Sequence, residues 1–380
     1  NSDSFNAKRQ AIQAFQGKDL IKADSLLKAA SSATLTDSAG CNGAEAAIYR
    51  EDLRVRQAKH PFSIVVIGFD SGAGNSDAQG GTDRKMLYAA STQELVGAYI
   101  AQQQYNNAHM KSSAPLLYLV LANTTGIEQG ALQIANQVAS TAQAKDIHSN
   151  GLLAQGSHPL LGIVGAGSSE LTQAILPTLC RVGIPLIAPT ATGTYMTDLL
   201  AQVGLYQSCA PGFAFIRSSV DDRQQSDLGT EYAYHALKAR NVAIFYDQGN
   251  RAARSIAQNF QDSFANYKPT QIVAQEASAD GGLLDSSGHP QASKDDLLAG
   301  LNDALKARPD MIFAALPTDD VITLVQAIAR LPKENQPSVM VGGEFVQPRL
   351  LLGLVQWARQ QQLTLPRIVA IQAAAARPQA

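Results

Sequence analysis

The chain has 380 residues, 45% of them hydrophobic and 16% charged, with 30 basic against 32 acidic side chains and a net charge of -2. That length allows two or three domains, and the composition excludes both a disordered chain and a membrane-embedded one. The charge balance supplies no global field for nucleic acid or anionic lipid.

No apolar run approaches the roughly 18 residues of a membrane span. The chain begins at Asn1 without a methionine, which is compatible with removal of a signal peptide, a lipid-anchor segment or a longer upstream region. Cys41, Cys180 and Cys209 stand far apart, with no CxxC pair and no zinc spacing. A bridge between Cys180 and Cys209 and a set of buried free thiols are both open.

The first sixty residues read as helical. Phe5, Ile12 and Phe15 recur at near-helical spacing until Gly17, Ile21, Ala23, Leu26, Leu27 and Ala30 form a second amphipathic stretch, and Ala44, Ala47, Ile48 and Val55 a third. FQGKDLIKADSLLKAA is loosely similar to a tetratricopeptide helix pair, but no second repeat follows. A lone repeat cannot bury its own face, so these helices are expected to pack on the next domain.

From Pro61 onward, short β-branched runs alternate with Ala/Gln-rich helical patterns. Strands are predicted at 63–69, 116–123, 160–166, 184–189, 242–247, 271–276, 311–316 and 339–343, with one more in LPRIVAIQ after Trp357. Near-continuous apolar strands alternating with helices imply parallel sheets covered on both faces. In such sheets ligands sit beyond the carboxyl ends of the strands, so the loops after each run are the places to search. The polar stretch 278–296 lacks periodicity and reads as a surface insertion.

Several chemistries lack their motifs. The sequence contains no GxxxxGK[ST], no GxSxG and no HExxH, and GAGSSE at 165–170 has no third glycine at the dinucleotide spacing. The six histidines are scattered without helical metal-ligand spacing. Neither an enzyme nor a cofactor or metal site is expected.

Two neighbouring loops are informative. In LLGIVGAGSSELTQAILPTLCRVGIPLIAP the small residues Gly165, Ala166 and Gly167 let a ligand approach the backbone, and Ser168 or Ser169 opens the following helix. One strand later APTATGTYM repeats the chemistry with Thr190, Ala191, Thr192 and Thr194. Hydroxyls and free amides without charge suit a carboxylate or a polar ligand and offer no nucleophile. Two ordinary capped helices would read the same way.

The passage from Gly162 to Leu200, with GIPLIAPTAT at its centre, resembles the type I periplasmic binding proteins of ABC transporters, the Leu/Ile/Val-binding family. So do the segment 215–247 with its Phe-x-Arg, Asp/Gln cluster, helix and strand ending in Asp, the stretch DDLLAGLNDALKARPDMIFAALPTDDVITLVQAIARL, and VGGEFVQPRLL. The order of these four motifs, over residues 61 to 350, is more specific than any one of them.

The resemblance implies an α/β, two-lobe Venus-flytrap fold that closes on a small polar solute, an amino acid or related carboxylate, and delivers it to an ABC transporter permease. It implies an extracellular or periplasmic location, with any membrane anchor in a segment outside this chain. The family's carboxylate cradle corresponds to Ser168, Ser169, Ala191 and Thr192, and its ammonium partner to Glu344. Lobe 1 is expected at 61–210 with the C-terminal tail 346–380, lobe 2 at 211–345, and the helical segment at 1–60.

Two departures stand out. Where the family often has Asp followed by Tyr-Gly, this chain has Asp247, Gln248, Gly249, Asn250 and Arg251, and Arg251 either meets an additional acidic group on the ligand or faces water. After Trp357 the last crossover is either cut short or abbreviated. Two other readings compete with transport: the sensor portion of a larger signalling receptor, and an α/β enzyme using the Ser168/Ser169 loop.

Overall fold

Valine-, isoleucine- and leucine-rich runs form buried parallel strands in the computed structural model, which describes residues 2–31, 40–56, 61–68, 82–124, 128–143, 160–196, 209–248, 250–277, 294–342 and 348–371. The chain divides into two units, one comprising Asn1–Ala73, Arg84–Ala191 and Leu199–Ser218, the other Gly74–Asp83, Thr192–Asp198 and Ser219–Ala380. Each contains one five-stranded sheet with every recorded pairing parallel.

In the first unit the helices α1 (Ser2–Gln16), α2 (Leu20–Ser31) and α3 (Gly40–Val55) precede β1 (Phe62–Gly68). Then follow α4 (Thr82–His109), β2 (Leu117–Asn123), α5 (Glu128–Gln143), β3 (Leu160–Gly165), α6 (Ser169–Val182), β4 (Leu186–Ala188) and β5 (Phe215–Arg217). The strand order is β2-β1-β3-β4-β5. Alternation along β1 sends Val65 and Ile67 into a core with Ile134, Val138, Ile175 and Leu179 of α5 and α6. Val66 joins a second core with Ile48 of α3 and Leu95 of α4. The N-terminal helices are therefore part of this unit's packing: Ile48 is fully buried there, and Ala11, Leu27, Ala30 and Ala46 bind the three helices together.

β2 is an edge strand, and the side chains of α3 and α4 occupy its open edge. Leu117 N donates to Asn106 Oδ1 at 2.7 Å and Leu119 N to Asp52 Oδ1 at 3.0 Å, while Leu117 O accepts from Asn106 Nδ2 and Gln102 Nε2. Backbone groups that would otherwise invite another strand are thus satisfied from within the chain. Burial pushes the Asp52 carboxyl well above the usual carboxylate range, against the opposing bonds from Leu119 and Gln102. The Tyr118 hydroxyl, also buried and close to Asp52, is pushed up to about 12.

The second unit contains α7 (Asp222–His235), β6 (Asn241–Asp247), α8 (Arg251–Ala265), β7 (Gln271–Ala277), α9 (Lys294–Lys306), β8 (Met311–Ala315), α10 (Thr318–Ala329), β9 (Ser338–Val341), α11 (Pro348–Gln360) and β10 (Ile368–Ala370). Its order is β7-β6-β8-β9-β10, so counting from β6 it repeats the winding of the first sheet. β8 is buried at every position. Phe260 of α8 stacks on Phe313 of β8 with ring centroids 4.0 Å apart, and Ala253, Ile256, Ala257, Phe260 and Phe264 form the buried stripe of α8 at helical spacing.

Two expectations about lobe membership fail. The Phe-x-Arg segment expected to begin the second lobe forms β5, which pairs with β4 in the first sheet. The tail expected with the first lobe contributes β10 to the second sheet, pairing with β9, and Ile371 N continues the ladder to Val341 O at 3.0 Å. Edge strands of only three residues carry too little alternation to announce their sheet, and pairing with an existing edge decides it. Of the surface insertion expected at 278–296, residues 278–293 lie outside the described residues, and Lys294, Asp295 and Asp296 open α9.

Candidate functional site

The glycine and alanine before α6 shape the first loop. Gly165, Ala166 and Gly167 have φ of 111°, 108° and 78°, the left-handed region that disfavours a Cβ. At Gly165 an added Cβ would lie 2.1 Å from Ile67 O, and Ala166 N donates to that same oxygen at 3.0 Å. β1 and β3 are neighbours from which the chain winds in opposite directions, so this loop stands at the topological switch point, where ligands bind in open α/β sheets.

Ser168 is the N-cap of α6, its hydroxyl accepting from Leu171 N at 3.2 Å, and Thr172 Oγ1 donates back to Ser168 O at 2.8 Å. Ser169 is the first residue of the helix and is 1% exposed. The expected opening of the helix by a serine is thus resolved in favour of Ser168, while the Ser169 side chain is buried.

β4 pairs with β3 in parallel, Ile163 opposite Leu186 and Val164 opposite Ile187, so the loop after β4 leaves the same end of the sheet. The structure places Ser168, Ser169, Thr190 and Ala191 on two adjacent strand ends of the first unit. Ala191 is fully buried. The Thr190 hydroxyl oxygen lies 3.0 Å from Glu94 Oε1 of α4, within hydrogen-bond distance. Burial pushes the Glu94 carboxyl from 4.5 to about 7, against the lowering effect of the Thr190 bond.

Thr192 groups with the second unit. Its carbonyl accepts from Asp222 N at 2.9 Å at the start of α7, and its side chain is 3% exposed. Thr194 Oγ1 lies 3.2 Å from Ser255 Oγ and accepts from Asn259 Nδ2 at 3.2 Å, fastening this strip of chain to α8. Arg251, the first residue of α8 after the Asn250 N-cap, holds its guanidinium carbon 4.1 Å from the centroid of the Tyr195 ring. The loop between β6 and α8 stands at the second sheet's own switch point, beside β8. Gly193 makes room for that ring, since a Cβ there would meet Tyr195 Cε1 at 2.5 Å. Glu344 lies outside the described residues.

Comparison with known structures returns many significant matches. The leucine-binding protein LivK of Thermotoga maritima matches with a TM-score of 0.50 at 18% identity, over 77% of this chain and 66% of that one. LivJ of Streptococcus pneumoniae, a branched-chain amino acid transporter substrate-binding protein solved with isoleucine, matches with 0.53 at 18%, over 77% and 67%. An ABC-transporter solute-binding protein of Rhodopseudomonas palustris, solved with 4-hydroxybenzoate, matches with 0.51 at 15%, over 76% and 65%.

The fold is that of the type I periplasmic binding proteins.

The chain spans about two thirds of the length of these proteins. No protein-family model matches the sequence, and no curated protein matches it significantly. Sequence reasoning singled out the two loops but not Glu94 or Tyr195. A signal for the first was present: between Lys85 and Lys111, Glu94 is the sole formally charged residue. Tyr195 had none beyond its place five residues after Thr190. Among the described residues no group of His, Cys, Asp and Glu is arranged to hold a metal, and no helix is long and apolar enough to cross a membrane.

Proposed function

We propose that the chain is an extracytoplasmic solute-binding protein that captures a small carboxylate, an amino acid or related acid, for an ABC transporter. The observation that carries this reading is the loop after β3: consecutive positive φ values at Gly165, Ala166 and Gly167 run into the Ser168 N-cap at the switch point of a type I fold. Such a turn at a helix N-terminus favours an anionic group and supplies no nucleophile or base. Ser168, Ser169, Thr190, Ala191 and Thr192 form the carboxylate side of the site in this reading, and Glu344 meets the ligand's ammonium. Arg251, held against Tyr195, meets a second acidic group.

The Cys180–Cys209 disulfide supports the location, since such bonds persist in oxidising compartments. The solved relatives that bind isoleucine and 4-hydroxybenzoate support the ligand class. The capture step rests on population shift: a ligand that contacts the closed form better draws the protein towards it.

A thermal-shift screen over amino acids, aliphatic and aromatic carboxylates and sugars tests the reading. A ligand at about 100 times its Kd stabilises by about 2.7 kcal/mol, an easily measured rise in Tm. A carboxylate should give that rise; a rise with sugars alone refutes the reading.

A further inference from the structure

Glu94 occupies an unusual position for an acid. Its Oε1 lies 3.0 Å from Thr190 Oγ1, and its Oε2 is buried with no hydrogen-bond partner among the described residues. Among the described residues no cation compensates it: the groups acting on the carboxyl are its own burial and the Thr190 hydroxyl. On its own helix side, the nearest formal charges in sequence are Lys85 and Lys111, more than two turns away in either direction.

The two protonation states of such a group have different consequences at Thr190. As a carboxylate, Glu94 carries a buried, unpaired negative oxygen, a costly arrangement. It also takes the Thr190 hydrogen, leaving only lone pairs on that hydroxyl for a ligand. As a neutral acid with its proton on Oε1, it donates to Thr190 Oγ1 across the same distance, and Oε2 becomes an ordinary carbonyl oxygen. Thr190 then keeps its own hydrogen for another acceptor.

We propose that Glu94 is the positioning residue of the loop after β4: held as a neutral carboxyl, it donates to Thr190 Oγ1 and leaves the Thr190 hydrogen free to bind a carboxylate, linking capture of that ligand to a proton stored at Glu94. The proposal rests on the solute-binding reading and adds a proton to it. The rise of the Glu94 carboxyl to about 7 agrees with it, and so does general chemistry, in which a buried acid kept neutral near pH 7 serves as a donor. Near neutral pH the proton is present in part of the population, and capture weakens as alkali removes it.

Two measurements on the full chain test this. The first needs no ligand: protein labelled with 13C at the glutamate carboxyl is titrated by NMR, and the Glu94 resonance is identified by its loss in Glu94→Gln. A midpoint near 7 is expected, and a midpoint in the ordinary glutamate range of about 4.3 overturns the proposal. The second follows binding of L-isoleucine and of 4-hydroxybenzoate by calorimetry from pH 6 to 8.5. The wild-type Kd should rise towards tenfold per pH unit above the midpoint. Glu94→Gln, whose amide donates permanently, should keep the pH 6 affinity within about threefold and lose the pH response. Thr190→Val should bind weakly at every pH, without a response.

A flat wild-type profile, an unchanged response in Thr190→Val, or loss of pH 6 binding in a folded Glu94→Gln overturns the proposal. If neither carboxylate binds at any pH while the midpoint is near 7, the carboxylate-capture reading fails and takes the ligand half of the proposal with it, whereas the stored proton stands.

Discussion

Cutting the Cys180–Cys209 bond should loosen the loop that carries Thr190 and Ala191. The two residues are 29 apart in sequence, and the chain between them holds the end of α6, all of β4 and that loop. Closing a loop of this size removes unfolded-state entropy equivalent to about 3.5 kcal/mol at 25 °C. With a urea m-value of about 2 to 3 kcal/mol/M for a unit of this size, the midpoint should fall by about 1 to 2 M. At roughly 2–4 °C per kcal/mol, the melting temperature should drop by roughly 7–14 °C.

The assay is urea unfolding of oxidised protein, of protein reduced with a phosphine, and of the Cys180→Ala/Cys209→Ala double variant. The reduced protein keeps both sulfurs and isolates the cross-link, whereas the double variant also removes packing around Cys180, which is 2% exposed. The transition followed should be that of the first unit, since two units need not unfold together. A loss below about 1 kcal/mol on reduction would refute the reasoning, because the covalent closure would then remove little freedom from the unfolded chain.

Gly165→Ala should destabilise the first unit by about 2 kcal/mol or more, read by chemical denaturation, because its Cβ would sit 2.1 Å from Ile67 O at a φ of 111°. Ile48→Ala should cost about 2–5 kcal/mol by the same measurement if the N-terminal helices belong to that unit's core. Stability should fall as pH rises: folding lifts the Glu94 carboxyl from 4.5 to about 7, so the folded chain binds more protons in that window. The contribution is complete below 4.5 and lost as pH passes through 7, up to about 3 kcal/mol at roughly 1.4 kcal/mol per pH unit. Glu94→Gln should remove that part of the slope, and the buried Asp52 contributes with the same sign. Arg251→Ala should weaken binding of a ligand with two acidic groups by about tenfold or more while leaving a monocarboxylate within about twofold, as calorimetry would show.

Much of the fold is legible in the order of residues alone. Apolar runs bounded by helical patterns announce β1, β2, β3, β4, β6, β7, β8 and β9; in the most buried of them, such as β8, a strand covered on both faces has little choice but continuous hydrophobicity. Gly165 to Ser169 can be read as a tight turn into a helix because glycine and an N-cap serine have local conformational reasons to be there. Ser168, Thr190 and Arg251 follow from their places at strand ends. Less legible are β5, whose three residues are too few for a period to show, and the sheet joined by the predicted strand β10, which three residues do not announce.

Local order along the chain therefore determined the α/β class, most of the strands and the loops where a ligand would be sought. Tertiary structure decided what those loops can do. Glu94 and Thr190 are 96 residues apart, the Tyr195 ring meets Arg251 from across another loop, and Cys180 chose Cys209. Helical and strand periods report which face a residue occupies, but not which distant residue faces it. That pairing is set by how the parallel strands order themselves, and it sets the Thr190 hydroxyl against one buried acid.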